Sequence, residues 1–181
     1  MSRKVDLSRY HNAGYYPGRN GFIRALWYIT NVLFFKTSLC TWYGLKRGLL
    51  RAYGAQIGKR VVIKPCVNIK YPWHLSVGDN SWIGEEVWID NLTDVEIGRN
   101  CCVSQGAMLL CGNHDYTKES FDLKTGTIVL KDGAWVGAKA IVCPGVTMEE
   151  GSVLTAGSVA TRDIAKDCIC QGNPAVVKKQ M

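Results

Sequence analysis

The sequence predicts an all-β solenoid, a parallel β-helix of about five coils with an N-terminal helical arm and one inserted loop, and three observations predict it. From residue 130 to 163 an aliphatic or small residue returns every sixth position, at Leu130, Val136, Val142, Met148, Leu154 and Ala160. Four residues after each of the first five comes a second small or β-branched side chain (Ala134, Ala140, Val146, Ser152, Ser158), with Gly133, Gly137, Gly145, Gly151 and Gly157 at the turns. The same register runs back through Ile97, Val103 and Leu109, through Val77, Ile83 and Ile89, and through Ile57, Ile63 and Ile69. A six-residue period fits neither an amphipathic helix nor an alternating strand. It fits a coil of three sides, each a short strand and a corner, stacked so that each coil buries its inward residues on the next.

Taken in order, residues 1–53 form an N-terminal arm and helices. Residues 1–21 are polar and aromatic without a period and read as an extended arm; they lack the apolar core and cleavage site of a signal peptide, so the expected location is cytoplasmic. Phe22 to Phe35 is strongly apolar but, at 14 residues with Arg24 and Asn31 inside, too short to span a bilayer, and it reads as a helix. A second helix, about Cys40 to Tyr53, places Leu45, Leu49, Leu50 and Tyr53 on one side and Lys46, Arg47 and Arg51 largely elsewhere.

Residues 54–163 are the β-helix. Coil starts at Ile57, Val77 and Ile97 are 20 apart, two more than three hexads need, so the first two coils carry bulges near Tyr71 to Trp73 and near Thr93 to Val95. From Ile97 to Leu130 is 33, which is 18 plus an insertion of 15, placed within the loop 110–129. An aperiodic loop of that length in a regular solenoid is a functional candidate, and it contains His114 followed by Asp115. Residues 164–181 leave the repeat and cap the last coil.

With 181 residues, 47% hydrophobic and 20% charged, the chain has the make-up of one globular domain able to bury a core. Its eight cysteines show no C-x-x-C spacing and several occupy small-residue slots, which argues for reduced packing residues over a disulfide frame or zinc site. His11, His74 and His114 are scattered, so no metal is expected. Charge is uneven: residues 1–60 hold 11 Lys and Arg against Asp6 alone (+10), whereas 61–181 hold 11 against 14 acids (−3). The basic helices are expected to pack on the open end of the β-helix. A sharper reading also rests them on an anionic membrane surface, giving a peripheral contact through Lys46, Arg47 and Arg51. No nucleic-acid motif accompanies the charge.

The run VLKDGAWVGAKAIVCPGVTMEEGSVLTAGSVATRD, with GNPA beyond it, resembles the C-terminal signature of the hexapeptide-repeat acyltransferases. LLRAYGAQIG, VVIKPCVNIKYPWHLSVGD, SWIGEEVWID and GNHDY are similar to the colanic-acid biosynthesis acetyltransferase family. The resemblance implies a left-handed β-helix, a homotrimer with active sites between neighbours, and transfer of acetyl from acetyl-CoA to a sugar hydroxyl. A hydroxyl needs a general base near neutral pH, and imidazole suits that role; the resemblance puts it at His114. Asp115 is the candidate to orient the imidazole or to cap a turn. Asp90 and Asn91 match an acceptor-binding position. Trp135, Ala138, Ala156, Gly157 and Ser158 match the donor groove, and Thr161, Arg162 and Lys179 the surroundings of the adenosine phosphates. The remaining alternatives are a sugar N-acyltransferase, a longer acyl donor, or a non-catalytic scaffold.

Overall fold

A computed structural model describes residues 5–12 and 14–181. Three parallel sheets form the faces of a prism. The first face holds Gln56–Ile57, Leu75–Val77, Val95–Ile97, Ile128–Leu130 and Thr147–Met148. Val62–Ile63, Trp82–Ile83, Cys102–Val103, Trp135–Val136, Val153–Leu154 and Cys168–Gly172 make the second. The third consists of Asn68–Ile69, Trp88–Asp90, Met108–Leu110, Ile141–Val142 and Val159–Ala160. Beyond five complete coils the chain starts a sixth, through a bridge from Ile164 to Met148 and the strand Cys168–Gly172. Ala175–Gln180 then folds back antiparallel on that strand.

The six-residue pattern becomes the core directly. Every inward residue of the register is buried, and so are the side chains four positions on wherever the repeat is uninterrupted, among them Val61, Val67, Val87, Ala107, Ala134, Ala140 and Val146; at the two bulges and the insertion, Trp73, Thr93 and Asn113 are not. Two inward residues per side leave room for only one large one, which is why the second is small. The corner after the first face takes one residue with left-handed backbone in every coil: Arg60, Asn80, Asn100 and Asp167 supply it, and Gly133 and Gly151 stand there in the other coils. The extra residues of the first two coils lie at the corner after the third face, where Pro72–His74 form a 3-10 turn. His74 serves that turn, with Nδ1 2.8 Å from Asp94 Oδ1.

The helical segment departs from its expected form. α1 (Gly21–Thr30), capped by the Asn20 side chain accepting from Ile23 N–H, gives way to a π-helical turn at Asn31–Phe35. α2 is Tyr43–Ala52. Its basic residues do not lie away from the apolar side: Lys46 is fully buried, while Leu45 is 37% exposed.

The reason is visible one coil further on. Val77 O, Ser81 O and Ile89 O of the second coil accept from Gly58 N–H, Val62 N–H and Lys70 N–H of the first. The corresponding carbonyls of the first coil have no preceding coil, and a buried carbonyl without a donor is costly. Side chains of the helical segment fill the vacancy. Arg51 Nη2 donates to Ile57 O at 2.7 Å and Arg47 Nη1 to Val61 O at 2.8 Å. Trp27 Nε1 and Asn31 Nδ2 reach Ile69 O, and Lys46 Nζ reaches Lys64 O at 2.9 Å. The helices thus pack on the open end of the solenoid as expected, and the three α2 cations that the second reading set against a membrane are bonded to that end.

Candidate active site

The chain leaves the third face at Cys111 and returns at Gly126, whose N–H donates to Cys111 O at 2.9 Å. Closing the insertion on itself in this way lets the next coil keep register: Ile128–Leu130 pairs with Val95–Ile97 as though nothing intervened. Inside the insertion, Gly112–His114 and Leu123–Thr125 form an antiparallel hairpin with His114 opposite Leu123.

His114 is half-buried and held on three sides. Its Nδ1 lies 2.9 Å from Phe121 O. The Phe121 ring stacks on the imidazole at 4.4 Å with an interplanar angle of 5°, and Tyr10 meets it edge-on at 5.5 Å. Because a carbonyl only accepts, Nδ1 carries the proton and Nε2 is the basic nitrogen of the neutral ring. Phe121 presents that carbonyl from a left-handed conformation (φ 49°), rare for a bulky residue and a mark of local strain.

Asp115 does not touch the imidazole. Its carboxylate accepts from Thr117 N–H and Oγ1–H and pairs with Lys124 at 2.9 Å, while its own N–H donates to Asp122 O. The Thr117 hydroxyl and then Lys124 hold its pKa down to about 2. Of the two roles read from sequence, the turn cap is the one the geometry supports: Asp115 stiffens the hairpin that carries His114.

Nothing in the sequence foretold that the N-terminal arm packs on this loop. Asp6 N–H donates to Glu119 O, Arg9 pairs with Glu119 at 3.0 Å, and Tyr15 Oη donates to Leu92 O. Burial pushes the Tyr15 phenol well above its ordinary pKa, so it stays a donor. Between arm and hairpin lies a cleft of about 290 Å³ lined by His11, Asn12, Tyr15, Asp122, Leu123 and Thr125.

The proposed acceptor pair divides. Asp90 is partly buried, 3.0 Å from Lys70 Nζ, and lines a cleft of about 330 Å³ between α1 and the third face with Tyr28, Tyr71 and Trp88. Asn91 is fully buried, and its amide accepts from Tyr71 N–H and donates to Tyr71 O. It clamps the bulge and has no atom left for an acceptor.

The predicted donor residues divide too. Trp135 is 49% exposed on the second face, its Nε1 donating to Ser104 Oγ. In backbone register it leads through Val153 and Ile169 to Lys179, three strand spacings or about 14 Å away. Ala138, Ala156 and Gly157 line the adjoining corner, and a Cβ built on Gly157 would meet nothing within 4 Å. This is an open ledge. Ser158 instead is buried, its Oγ accepting from Gly172 N–H. Thr161 and Arg162 are exposed at the corner beyond the third face, a whole strand from that ledge. Within one chain, His114 and the ledge lie at opposite edges of the third face.

Burial raises the thiol pKa of Cys101, Cys143, Cys170 and Cys111, the last to about 12, which leaves these groups protonated and poor nucleophiles. Among the described residues no group of three or more metal-ligating side chains occurs.

Residues 74–111 and 129–162 match the family signature described as the hexapeptide repeat of succinyl-transferase. Over 175 residues, 97% of this chain and 96% of the other, the chain is 35% identical to WcaF of Escherichia coli K12, provisionally named a colanic acid biosynthesis acetyltransferase. The hexapeptide-repeat acetyltransferase VCA0836 of Vibrio cholerae, solved also with acetyl coenzyme A, has a TM-score of 0.79 at 20% identity, covering 88% of this chain and 90% of that one. A maltose O-acetyltransferase of Clostridium difficile 630 gives 0.77 at 23% identity, with 99% of both chains covered. These two likenesses show the fold, the left-handed parallel β-helix.

Proposed function

The chain belongs to the hexapeptide-repeat acyltransferases, among them to the colanic-acid biosynthesis acetyltransferase family, and on that premise we propose that it transfers acetyl from acetyl-CoA to a saccharide hydroxyl in exopolysaccharide assembly. The observation that carries this reading is the His114 geometry: Nδ1–H donates to Phe121 O, so Nε2 is the atom that can take a proton. His114 acts as general base on the acceptor hydroxyl, and the Phe121 carbonyl steadies the imidazolium that results. Phe121 and the Asp115-braced hairpin keep the ring from turning. The donor supplies an activated thioester; Trp135, Ala138, Ala156, Gly157 and Lys179 line the ledge that would hold it, with Asp90 left as an acceptor contact.

Because the base and the ledge lie a face apart in one chain, the complete site requires His114 of one subunit to meet the ledge of its neighbour. That arrangement supports a homotrimer. Outward residues lean the same way: Val62, Trp82, Cys102, Trp135, Val153 and Ile169 on the second face are apolar, the third face carries Trp88, Met108, Ile141 and Val159 with the polar Asn68, and the first carries Gln56, Ser76, Glu96 and Thr147 with the apolar Val129.

The test is His114→Ala, assayed for transfer from acetyl-CoA to saccharide acceptors by mass spectrometry, with donor affinity measured by calorimetry. A loss of about 10²–10⁴ in turnover with donor affinity unchanged is expected. Turnover equal to that of the unaltered protein removes His114 from the reaction.

A further inference from the structure

We infer that the outer face of α1 docks on an anionic phospholipid bilayer, and that it does so by apolar insertion, not through the α2 cations. Phe22, Leu26, Ile29 and Leu33 follow one another at helical spacing and are 71%, 39%, 55% and 60% exposed. The opposite side of the same segment buries Trp27, Asn31 and Phe35 against the solenoid. The connector to α2 adds Leu39 and Trp42, 90% and 74% exposed. Side chains of this size left in water along one face of a helix mark a contact surface.

The charge around the stripe identifies the partner. From Leu7 to Gly78 the sequence contains no Asp or Glu at all, while it holds 11 Lys and Arg. Lys46, Arg47 and Arg51 cap the first coil, and Arg24 and Lys36 border the cleft between α1 and the third face; Arg19, Arg24 and Lys36 are exposed, and none takes part in any ion pair found among the described residues, so the whole segment keeps its positive charge. A second copy of the chain meeting this face would set two acid-free surfaces against each other. An anionic lipid surface offers the opposite sign to this acid-free segment together with an apolar layer beneath it, which suits a helix whose outer side is aliphatic and aromatic. No helix among the described residues is long and apolar enough to cross a membrane, so α1 lies along the interface.

The test uses the full chain in flotation with phosphatidylglycerol–phosphatidylcholine vesicles and with pure phosphatidylcholine, at low and high salt. The full chain should float with the anionic vesicles, less so in salt or with the neutral lipid. The double variant Phe22→Ser, Leu33→Ser should bind about tenfold more weakly or worse, with its assembly mass by light scattering unchanged. On the unaltered protein, brominated lipids should quench a tryptophan emission that Trp42→Phe removes. Absence of flotation at low salt, undiminished binding of the double variant, or absence of quenching overturns the inference. So does a fall in the variant's assembly mass, which would assign the face to contact between copies.

Discussion

Replacing Lys46 by Met sets two physical terms directly against each other. Lys46 is 0% exposed, its Nζ lies 2.9 Å from Lys64 O, and it sits over the face of Phe35, 5.7 Å from the ring centroid. Among the described residues no carboxylate pairs with it, and burial lowers its pKa, so the ammonium carries a desolvation cost that Met would remove. Against this, Met leaves Lys64 O without its donor. A hydrogen bond to a charged group contributes about 1.5–3 kcal/mol, and an abandoned carbonyl costs about 1–3 kcal/mol; the two figures describe the same loss and are not added. Met preserves the stem and opens no cavity. The carbonyl and the ring face already meet part of the desolvation cost, so the lost bond should win, with a net destabilisation of about 2 kcal/mol. For a chain of this size that is a fall of about 4–8 °C in Tm, measured at one protein concentration because assembly shifts Tm by mass action. An unchanged or raised Tm would refute the reasoning, showing that the buried charge costs more than its bond returns.

Two further outcomes follow from single contacts. Gly137→Ala places a Cβ 2.5 Å from Ala156 N and 2.7 Å from Leu154 O, both backbone of the next coil, so the coils must part; a loss of about 1–3 kcal/mol is expected in urea unfolding. Asp115 has its pKa lowered from 3.8 to about 2, so its contribution is complete above pH about 4 and is lost as pH falls through about 2. Asp115→Asn should therefore flatten the acid-unfolding curve between those values, and a curve identical to that of the unaltered protein would remove Asp115 from the linkage.

The solenoid was legible because inwardness there is a local property: a residue's place in a hexad decides its face, and Ile57 through Ala160 all fell where the period put them. Lys46 was not legible. Its burial depends on which backbone groups the first coil leaves unpaired, and no side chain advertises a carbonyl. The same holds at the site, where the partner of His114 Nδ1 is the backbone of Phe121, while the adjacent Asp115, the conspicuous candidate, braces the loop. Tyr10, about a hundred residues away in sequence, meets the imidazole only because the arm folds back. Asn91 and Ser158 matched positions in a pattern, but burial and hydrogen bonds spend their polar atoms on the scaffold.

The capped first coil also bears on how the molecule avoids polymerising. A solenoid cut across its axis presents an edge shaped like its own interior, so an uncovered end is a template on which another chain's coil can add, and addition without rotational closure gives filaments. At the C-terminal end one face is closed by an antiparallel strand bearing Lys178 and Lys179, which no parallel coil can extend. At the other end Arg47, Arg51, Trp27 and Asn31 occupy the very carbonyls an incoming coil would need. The helices thus end the stack, and a chain shortened to begin at the first coil would be expected to grow end to end.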